Sequence, residues 1–367
     1  MRSVAEGLRE RGHVVNVVLP IERENRAPSI QSLDRLKEFD ITPTVTRSVT
    51  LRFESRGVFY AGVPIESDRF LSFLVSELRN NRTDVVMLTD AGGPAASDLL
   101  ATVQDNFDGR ITFFAMTIHM LPGGPLAIVA DEAAQARLRR CNVLVPSEFS
   151  LAYVRDYLGI QGRKCMPPLF QTLPHVNPGV DGPVALLNPS NWKGLPILLA
   201  LADKLPERQF LVRMGWSTSP EDRREIEQRS NISVWRKAKA DKRAFYSAAS
   251  IVIVPSICTE GFGIVAVEAM LHGVPVIAAD HGGLVEAKLG VPFLARVEPI
   301  RFVRCSSDPA KSVQIVPPQP VDSWLHCLEE LQRSPALHHE LSRHSHHAAS
   351  AFASNLDWKW VDQCVTA

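Results

Sequence analysis

At 367 residues the chain is long enough for two domains, each with its own core. Lys plus Arg and Asp plus Glu both number 40, so the net charge is nil and no overall basic field is present to hold nucleic acid or an anionic membrane. The cysteines Cys141, Cys165, Cys258, Cys305, Cys327 and Cys364 show no C-x-x-C spacing, which argues against zinc or a redox pair, and no apolar run reaches the ~18 residues of a membrane span. The expectation is an α/β protein of the cytoplasm with reduced thiols and no secretory leader.

Taken in chain order, the first periodic segment is a helix: Val4, Ala5 and Leu8 share a face, and Gly12 stands where a C-cap belongs. A strand over 14–19 follows. Doubly wound domains ordinarily open with a strand and a glycine turn ahead of that helix, so the expectation is that the ancestral first strand lies ahead of Met1 or has been lost. Further strands are expected at 43–49, 84–89, 111–118 and 142–146. Helices are expected at 68–80, 95–105, 131–139 and 147–158, the last with Ser147 as N-cap and Glu148 in the first turn. Such alternation implies a parallel sheet covered on both faces.

Between 161 and 183, five prolines and three glycines break the periodicity and mark a domain boundary. Alternation then resumes. Strands at 184–187, 209–214, 232–235, 251–255 and 274–279 are separated by helices at 195–204, 220–228, 242–249 and 260–268, which makes a second Rossmann-like unit. Residues 300–320 read as irregular, followed by helices at 321–333 and 335–353. The cluster His338, His339, His344, His346 and His347 on the last of these reads as exposed helix histidines rather than a metal site, since no carboxylate or cysteine completes a ligand set.

Residues 256–278, SICTEGFGIVAVEAMLHGVPVIA, carry the most information. They read as a strand end, a glycine turn with Glu260, an apolar helix interrupted by Glu268, a break at Gly273-Val274-Pro275 and another strand. A carboxylate is seldom left inside an apolar run unless something pairs with it. Gly261 and Gly263 let backbone N–H groups approach a ligand, and a helix N-terminus favours an anion. One acid at the mouth, one inside the helix and an amide-lined anion site between them suit a polyhydroxylated phosphate ester such as a nucleotide sugar.

The Glu-(seven residues)-Glu spacing, with Gly-Phe-Gly and Glu-Ala-Met in place, resembles the retaining glycosyltransferases of family 4. Leu-Arg-Glu-Arg-Gly-His-Val-Val at 8–15 looks like the end of the first helix and the second strand of that family. The resemblance implies a GT-B fold: two Rossmann-like, doubly wound domains facing a central cleft, here without the first strand of the N-terminal one. It implies an acceptor-side domain over 1–170, a nucleotide-sugar-binding domain over 178–350, and a helical tail over 351–367 packing back on the first domain.

Roles implied by the resemblance follow residue by residue. Glu268 accepts from the ribose hydroxyls, and Glu260 faces the donor sugar and helps to place the anomeric carbon; their structural competitors are a pairing with a buried arginine and a helix-dipole acid. Lys193, opening a helix with Gly194, contacts the diphosphate and stabilises the charge that develops as it leaves. The family's arginine about six residues earlier falls on Leu187, so either Arg213 substitutes or donor binding is weak; Asn188 offers a hydrogen bond but no charge. Gly261, Phe262 and Gly263 belong to the motif itself. The loop His281-Gly282-Gly283-Leu284, with Glu286 following, resembles the segment under the donor sugar and phosphates. His119, at a strand C-terminus, resembles the family histidine near the transferred sugar, and Pro122–Pro125 and Asp90–Gly93 are candidate cleft-lining loops.

The implied reaction moves a sugar from a nucleotide-sugar donor to a small-molecule or glycan acceptor with retention, by a front-face route in which the leaving phosphate oxygen takes the acceptor proton. No cofactor and no metal are expected, because Lys193 and the helix amides hold the diphosphate. Nucleic acid is not an expected partner, whereas peripheral membrane contact is compatible with the sequence. A dinucleotide-dependent oxidoreductase is disfavoured, since no G-x-G-x-x-G stands between a strand and a helix. The remaining alternative is a degenerate GT-B protein that binds a nucleotide or a partner without turnover, suggested by the missing first strand and the missing arginine.

Overall fold

The apolar face of residues 4–8 produces α1 (Arg2–Glu10), which buries Val4, Ala5 and Leu8 and stops just before Gly12, whose φ of +93° is a left-handed conformation that glycine adopts without strain. The structure, a computed structural model, describes residues 2–365 apart from 22, 25–26, 29–35, 37–40, 46–49, 65–66, 90–94, 172, 176–177, 237–241 and 309–310. The strands β1 (Asn16–Ile21), β2 (Thr44–Val45), β3 (Leu51–Ser55) and β4 (Val58–Pro64) form one sheet in the order β1-β4-β3-β2. Only the β1–β4 pair is parallel. Sequence reading missed β3 and β4. Their two-residue link, Arg56-Gly57, has φ of +51° and +74°, the pattern of a type I′ hairpin turn, and Arg-Gly is a weaker signal for it than Asn-Gly. Of the strand expected at 43–49, residues 46–49 lie outside the described residues.

After α2 (Ser67–Asn80) the chain alternates as expected through β5 (Val85–Thr89), α3 (Ala95–Asn106), β6 (Arg110–Phe114), α4 (Glu132–Leu138), β7 (Asn142–Val145), α5 (Glu148–Leu158) and β8 (Arg163–Lys164). These strands make a wholly parallel sheet, β8-β7-β6-β5. The first half thus holds two sheets where one was expected. Among the described residues β1 pairs only with β4, and β5 only with β6. Helix α1 lies against both, with Ala5 on Val58 and Tyr60, and Val4 and Leu8 in one cluster with Phe114 and Leu144.

The second half is a single Rossmann-like unit. Its elements are β9 (Val184–Leu187), α6 (Leu195–Lys204), β10 (Phe210–Arg213), α7 (Pro220–Glu227), β11 (Ile232–Val234), α8 (Lys242–Ser247), β12 (Ile251–Val254), α9 (Ile264–Leu271), β13 (Val276–Ala279), α10 (Leu284–Ala287) and β14 (Leu294–Ala295). All six strands are parallel, in the order β11-β10-β9-β12-β13-β14. Strands buried on both faces need continuous apolar runs, and Ile251–Val254 and Val276–Ala279 supply them. Chain order reverses between β9 and β12. In doubly wound sheets ligands bind in the crevice outside the strand ends at such a reversal.

Residues 300–320, read as irregular, contain an antiparallel hairpin of β15 (Arg301–Arg304) and β16 (Ser312–Ile315). Three helices finish the chain: α11 (Asp322–Arg333), α12 (Pro335–Asn355) and α13 (Lys359–Val365). Trp360, Val361 and Cys364 of α13 pack with Phe114, Leu144 and α1. The approach is close enough that a Cβ on Gly7 would lie 2.1 Å from the Trp358 ring. Among the described residues no helix is long and apolar enough to cross a membrane.

The histidines of α12 are not all exposed. His338 is fully buried, its Nε2–H donating to the Ser250 carbonyl (2.9 Å) while Nδ1 has no hydrogen-bond partner among the described residues, and His346 faces the Leu271 carbonyl at 2.9 Å. Burial holds His338 below the ordinary histidine value, as it does His119, His272 and His281. The fold therefore favours the neutral rings, and below about pH 6.5 the unfolded chain binds more protons than the folded one. Stability is expected to be complete above that pH and to fall as pH drops below it. His338→Gln, which retains a donor for the Ser250 carbonyl, should flatten the slope. Calorimetric melting between pH 7.5 and 5 tests this; a flat melting temperature for the parent chain would refute it.

Candidate functional site

The reversal point lies between two loops, Asn188–Gly194 after β9 and Pro255–Gly263 after β12, and the pair is built by close backbone packing. Gly194 has φ +82°, and a Cβ there would sit 2.0 Å from the Pro255 carbonyl oxygen. The amides of Ile257 and Cys258 both donate to the Trp192 carbonyl at 3.1 Å. So fixed, the loops bring Lys193 Nζ to 2.6 Å from Glu260 Oε1, which also accepts from the Ser256 hydroxyl at 2.7 Å. Their side chains are 23% and 21% exposed, so this is a sheltered pair open to the cleft on one side. Burial alone would neutralise both groups. The opposite charge beside each prevails, holding the Lys193 ammonium above its ordinary value and the Glu260 carboxyl below its own.

Glu260 precedes α9 rather than lying in it: the helix expected over 260–268 begins at Ile264, after Gly263 with φ +113°. Glu268 is therefore on the second turn, where Lys242 Nζ donates to Oε1 at 2.5 Å and the buried Tyr246 hydroxyl donates to Oε2 at 3.2 Å. The pairing of this acid is with a lysine and a tyrosine, not with the buried arginine considered as its structural competitor. Arg213 ends β10 as the register partner of Leu187, and its charge acts on Tyr246.

Some expected site residues present only backbone. Phe262 is 3% exposed and stacks on Phe352 at 5.7 Å between centroids, and the Leu284 side chain is fully buried. Asn188, with φ +56°, accepts the Ser217 N–H on Oδ1 at 3.0 Å, which anchors the loop after β10. Gly282 has φ +60°, and the Gly283 N–H donates to the Glu260 carbonyl at 2.9 Å, so the 281–284 loop is tied to the Glu260 loop. Beneath it Lys288 is 1% exposed, donating to the Val276 carbonyl at 2.5 Å; burial pushes its ammonium down to about 7.

The first half closes over this arrangement. His119, in a 3₁₀ turn after β6, is 2% exposed with both ring nitrogens engaged: Nδ1 stands 2.9 Å from the Leu126 carbonyl, and Nε2 accepts the Thr259 N–H at 3.1 Å. The ring is thus the neutral Nδ1–H tautomer. The hydroxyls of Ser147 and Ser150 donate to the Gly261 carbonyl at 2.5 and 2.9 Å. Glu286 accepts the Glu148 N–H at 2.7 Å, an acid at the N-terminus of α5. Lys193, Glu260 and His119 are therefore gathered in one place, with Glu268 and Arg213 further along the same strand ends. Ser147 caps α5 as expected, accepting the Ser150 N–H, but its bond to Gly261 was not foreseen, and sequence reasoning assigned no role to Ser256, Thr259, Tyr246, Lys242 and Ser150, whose contacts depend on packing and leave no spacing signal. Of the candidate cleft loops, 90–93 lies outside the described residues, and Gly123 accepts the Tyr153 hydroxyl on its carbonyl at 2.9 Å.

A family model described as Glycosyl transferases group 1 matches residues 183–300, the span from β9 to the hairpin. The D-inositol 3-phosphate glycosyltransferase of Mycobacterium sp. (strain KMS) is 40% identical over 101 residues, 25% of this chain and 23% of that protein. The protein of the same name from Xylanimonas cellulosilytica is 36% identical over 116 residues, 29% and 28% of the two chains. The matched stretch spans about a quarter of the length of these curated relatives. Among solved structures, WaaG, a glycosyltransferase involved in lipopolysaccharide biosynthesis, superposes with TM-score 0.66 at 14% identity, covering 100% of this chain and 95% of that one. A glycosyltransferase from Rickettsia africae ESF-5 gives 0.58 at 15%, covering 100% and 94%. Anabaena Alr3699/HepE, solved with UDP, gives 0.56 at 15%, covering 95% and 98%. The chain has the GT-B fold, two Rossmann-like domains, and its second half is similar to group 1 glycosyltransferases.

Proposed function

We propose that this chain is a glycosyltransferase that uses a nucleotide-sugar donor, of the retaining family 4 type, with the donor on the second domain and a small-molecule or glycan acceptor on the first. The observation that carries the proposal is the Lys193–Glu260 pair at the reversal point of a sheet whose span matches the group 1 family model, with Glu268 on the helix that follows. Lys193 neutralises the diphosphate as it leaves, and the amides at the start of α9 add to the positive end. Glu260 receives donor-sugar hydroxyls once Lys193 turns to the phosphates, and Glu268 exchanges Lys242 and Tyr246 for the ribose diol. Retention follows a front-face route, in which the protein orients donor and acceptor and the departing phosphate oxygen takes the acceptor proton. Protein groups hold the diphosphate in this scheme, so it needs no cofactor.

The missing family arginine, which favoured a binding protein without turnover, has an alternative source. Leu187 and Arg213 are register partners on adjacent parallel strands, whose side chains leave on the same face about 5 Å apart. Arg213 is therefore the residue we assign to the part of the family arginine.

Thermal shift against UDP, GDP and ADP is the direct test, because a ligand that binds only the native state raises the melting temperature. Glu268→Gln keeps an acceptor for Tyr246 but loses the charge. It is expected to weaken the favoured nucleotide about ten- to a hundredfold, the equivalent of about 1.5–3 kcal/mol for one charge-assisted bond. Unchanged affinity in a folded Glu268→Gln protein would exclude the ribose role. Proton NMR of the first transfer product reads its anomeric configuration, and inversion would refute the retaining assignment.

A further inference from the structure

The β15–β16 hairpin belongs to the second domain at its base, where the buried Ile300 donates its N–H to the Ile257 carbonyl at 2.9 Å, yet its inner face is pressed on the first. The Phe302 ring lies 4.9 Å from His119 and 6.0 Å from Trp192, which itself stands 5.2 Å from His119. The Trp192 indole N–H donates to Gln314 at 3.0 Å and ties the hairpin to the loop of Lys193. Across the cleft, Ser312 donates its N–H to the Ile128 carbonyl at 3.1 Å and its hydroxyl to the Ala127 carbonyl at 3.2 Å, and Arg304 donates to the Gly124 carbonyl at 3.2 Å. Val129 and Lys311 add an isolated antiparallel bridge. The opposite face of the hairpin is solvent-facing, with Val303 and Val313 about half exposed.

His119 is consequently sealed by Thr259, by Trp192 and by Phe302 of the hairpin. We propose that β15–β16 is a latch across the cleft: it holds the two domains shut over His119, Lys193 and Glu260, and a nucleotide sugar enters, and products leave, when it parts from residues 124–129. This rests on the donor-site reading above. The contacts that break are the three hydrogen bonds to the carbonyls of residues 124–128, the Val129–Lys311 bridge and the packing of Phe302 on His119, while the base at Ile300 and the Trp192–Gln314 bond stay with the second domain. Phe302 is the wedge that fills the space over His119.

The Val129–Lys311 bridge supplies the test. The Ser312 N–H to Ile128 carbonyl bond makes these two residues a non-hydrogen-bonded antiparallel pair, whose Cα atoms lie about 4.5 Å apart, within the range a disulfide spans. Val129→Cys with Lys311→Cys is made in the full chain with Cys305→Ser, because Cys305 lies beside Lys311. Oxidation is expected to slow hydrogen exchange at the Thr259 and Ile128 amides about tenfold or more relative to the reduced protein and to block UDP association, with reduction restoring both. Phe302→Ala should act in the opposite sense, speeding exchange at Thr259. Equal exchange at these amides in the oxidised and reduced protein would overturn the latch, and so would unchanged UDP association in the oxidised form. A reduced protein that ignores UDP would count against the donor reading, and the exchange measurement would still decide the latch.

Discussion

Lys193→Ala is expected to lower sugar transfer by about two to three orders of magnitude, the usual effect of removing a single preorganised stabiliser of developing negative charge. The structure makes the loss larger than a surface lysine would give. Nζ sits 2.6 Å from a Glu260 carboxylate that is 21% exposed and also accepts from the Ser256 hydroxyl. Alanine would leave that carboxylate sheltered, without its cation and facing an incoming diphosphate, so nucleotide affinity and turnover should fall together. Glu260 titrates below its ordinary value and Lys193 above its own, so the pair is fully charged at neutral pH and the defect should not be pH-dependent between about pH 6 and 9. Lys193→Arg keeps the charge but not the compact ammonium, and should fall less than alanine. Calorimetric UDP binding and single-turnover transfer measure the two parts. A Lys193→Ala protein as active as the parent would remove lysine from the site and move the cationic role to Arg213.

Gly261→Ala is expected to abolish transfer by a different physical route. A Cβ at this position would lie 2.4 Å from the Met116 carbonyl oxygen, a backbone atom of the other domain that has no rotamer to give way. The same glycine offers its carbonyl to Ser147 and Ser150 at 2.5 and 2.9 Å, so the methyl group would be driven in at a contact between the two domains. Overpacking of this kind costs about 1–3 kcal/mol, and here it can be relieved by opening the cleft. The variant should therefore retain UDP binding on the second domain, lose transfer, and show a larger radius of gyration in solution scattering. Gly179→Ala is the control, since nothing lies within 4 Å of a Cβ there. A Gly261→Ala chain with parental scattering and parental transfer would show that the closed arrangement is not the working one.

Both effects turn on contacts that no sequence pattern displays, although the residues themselves were legible. Helical and strand periodicity are local, so the alternation of the second half was readable almost to its ends; Glu268 stood out because a carboxylate in an apolar run is rare, and Glu260 by its place in the glycine turn, with seven residues between the two. The β3–β4 hairpin and the β15–β16 hairpin were not readable. Their turns lack an Asn-Gly or Asp-Gly pair, so the local signal that joins two strands into a hairpin was missing.

The sequence by itself determined that Glu260, Lys193 and the Gly282–Gly283 loop follow strands and that Glu268 lies in the helix after Glu260, since apolar strand and helix patterns stand on either side of each. Tertiary structure alone decided which of them touch. Lys193 and Glu260 are 67 residues apart and meet because the sheet order reverses between their two strands. Arg213 comes opposite Leu187 only through the β9–β10 register, and His119 becomes a sealed, neutral ring only when Thr259, Trp192 and Phe302 from the other domain close around it. Spacing along the chain fixes what a residue's own element can present. Burial, ionisation and partnership belong to the surfaces that fold against it, and those are set by packing between elements far apart in sequence.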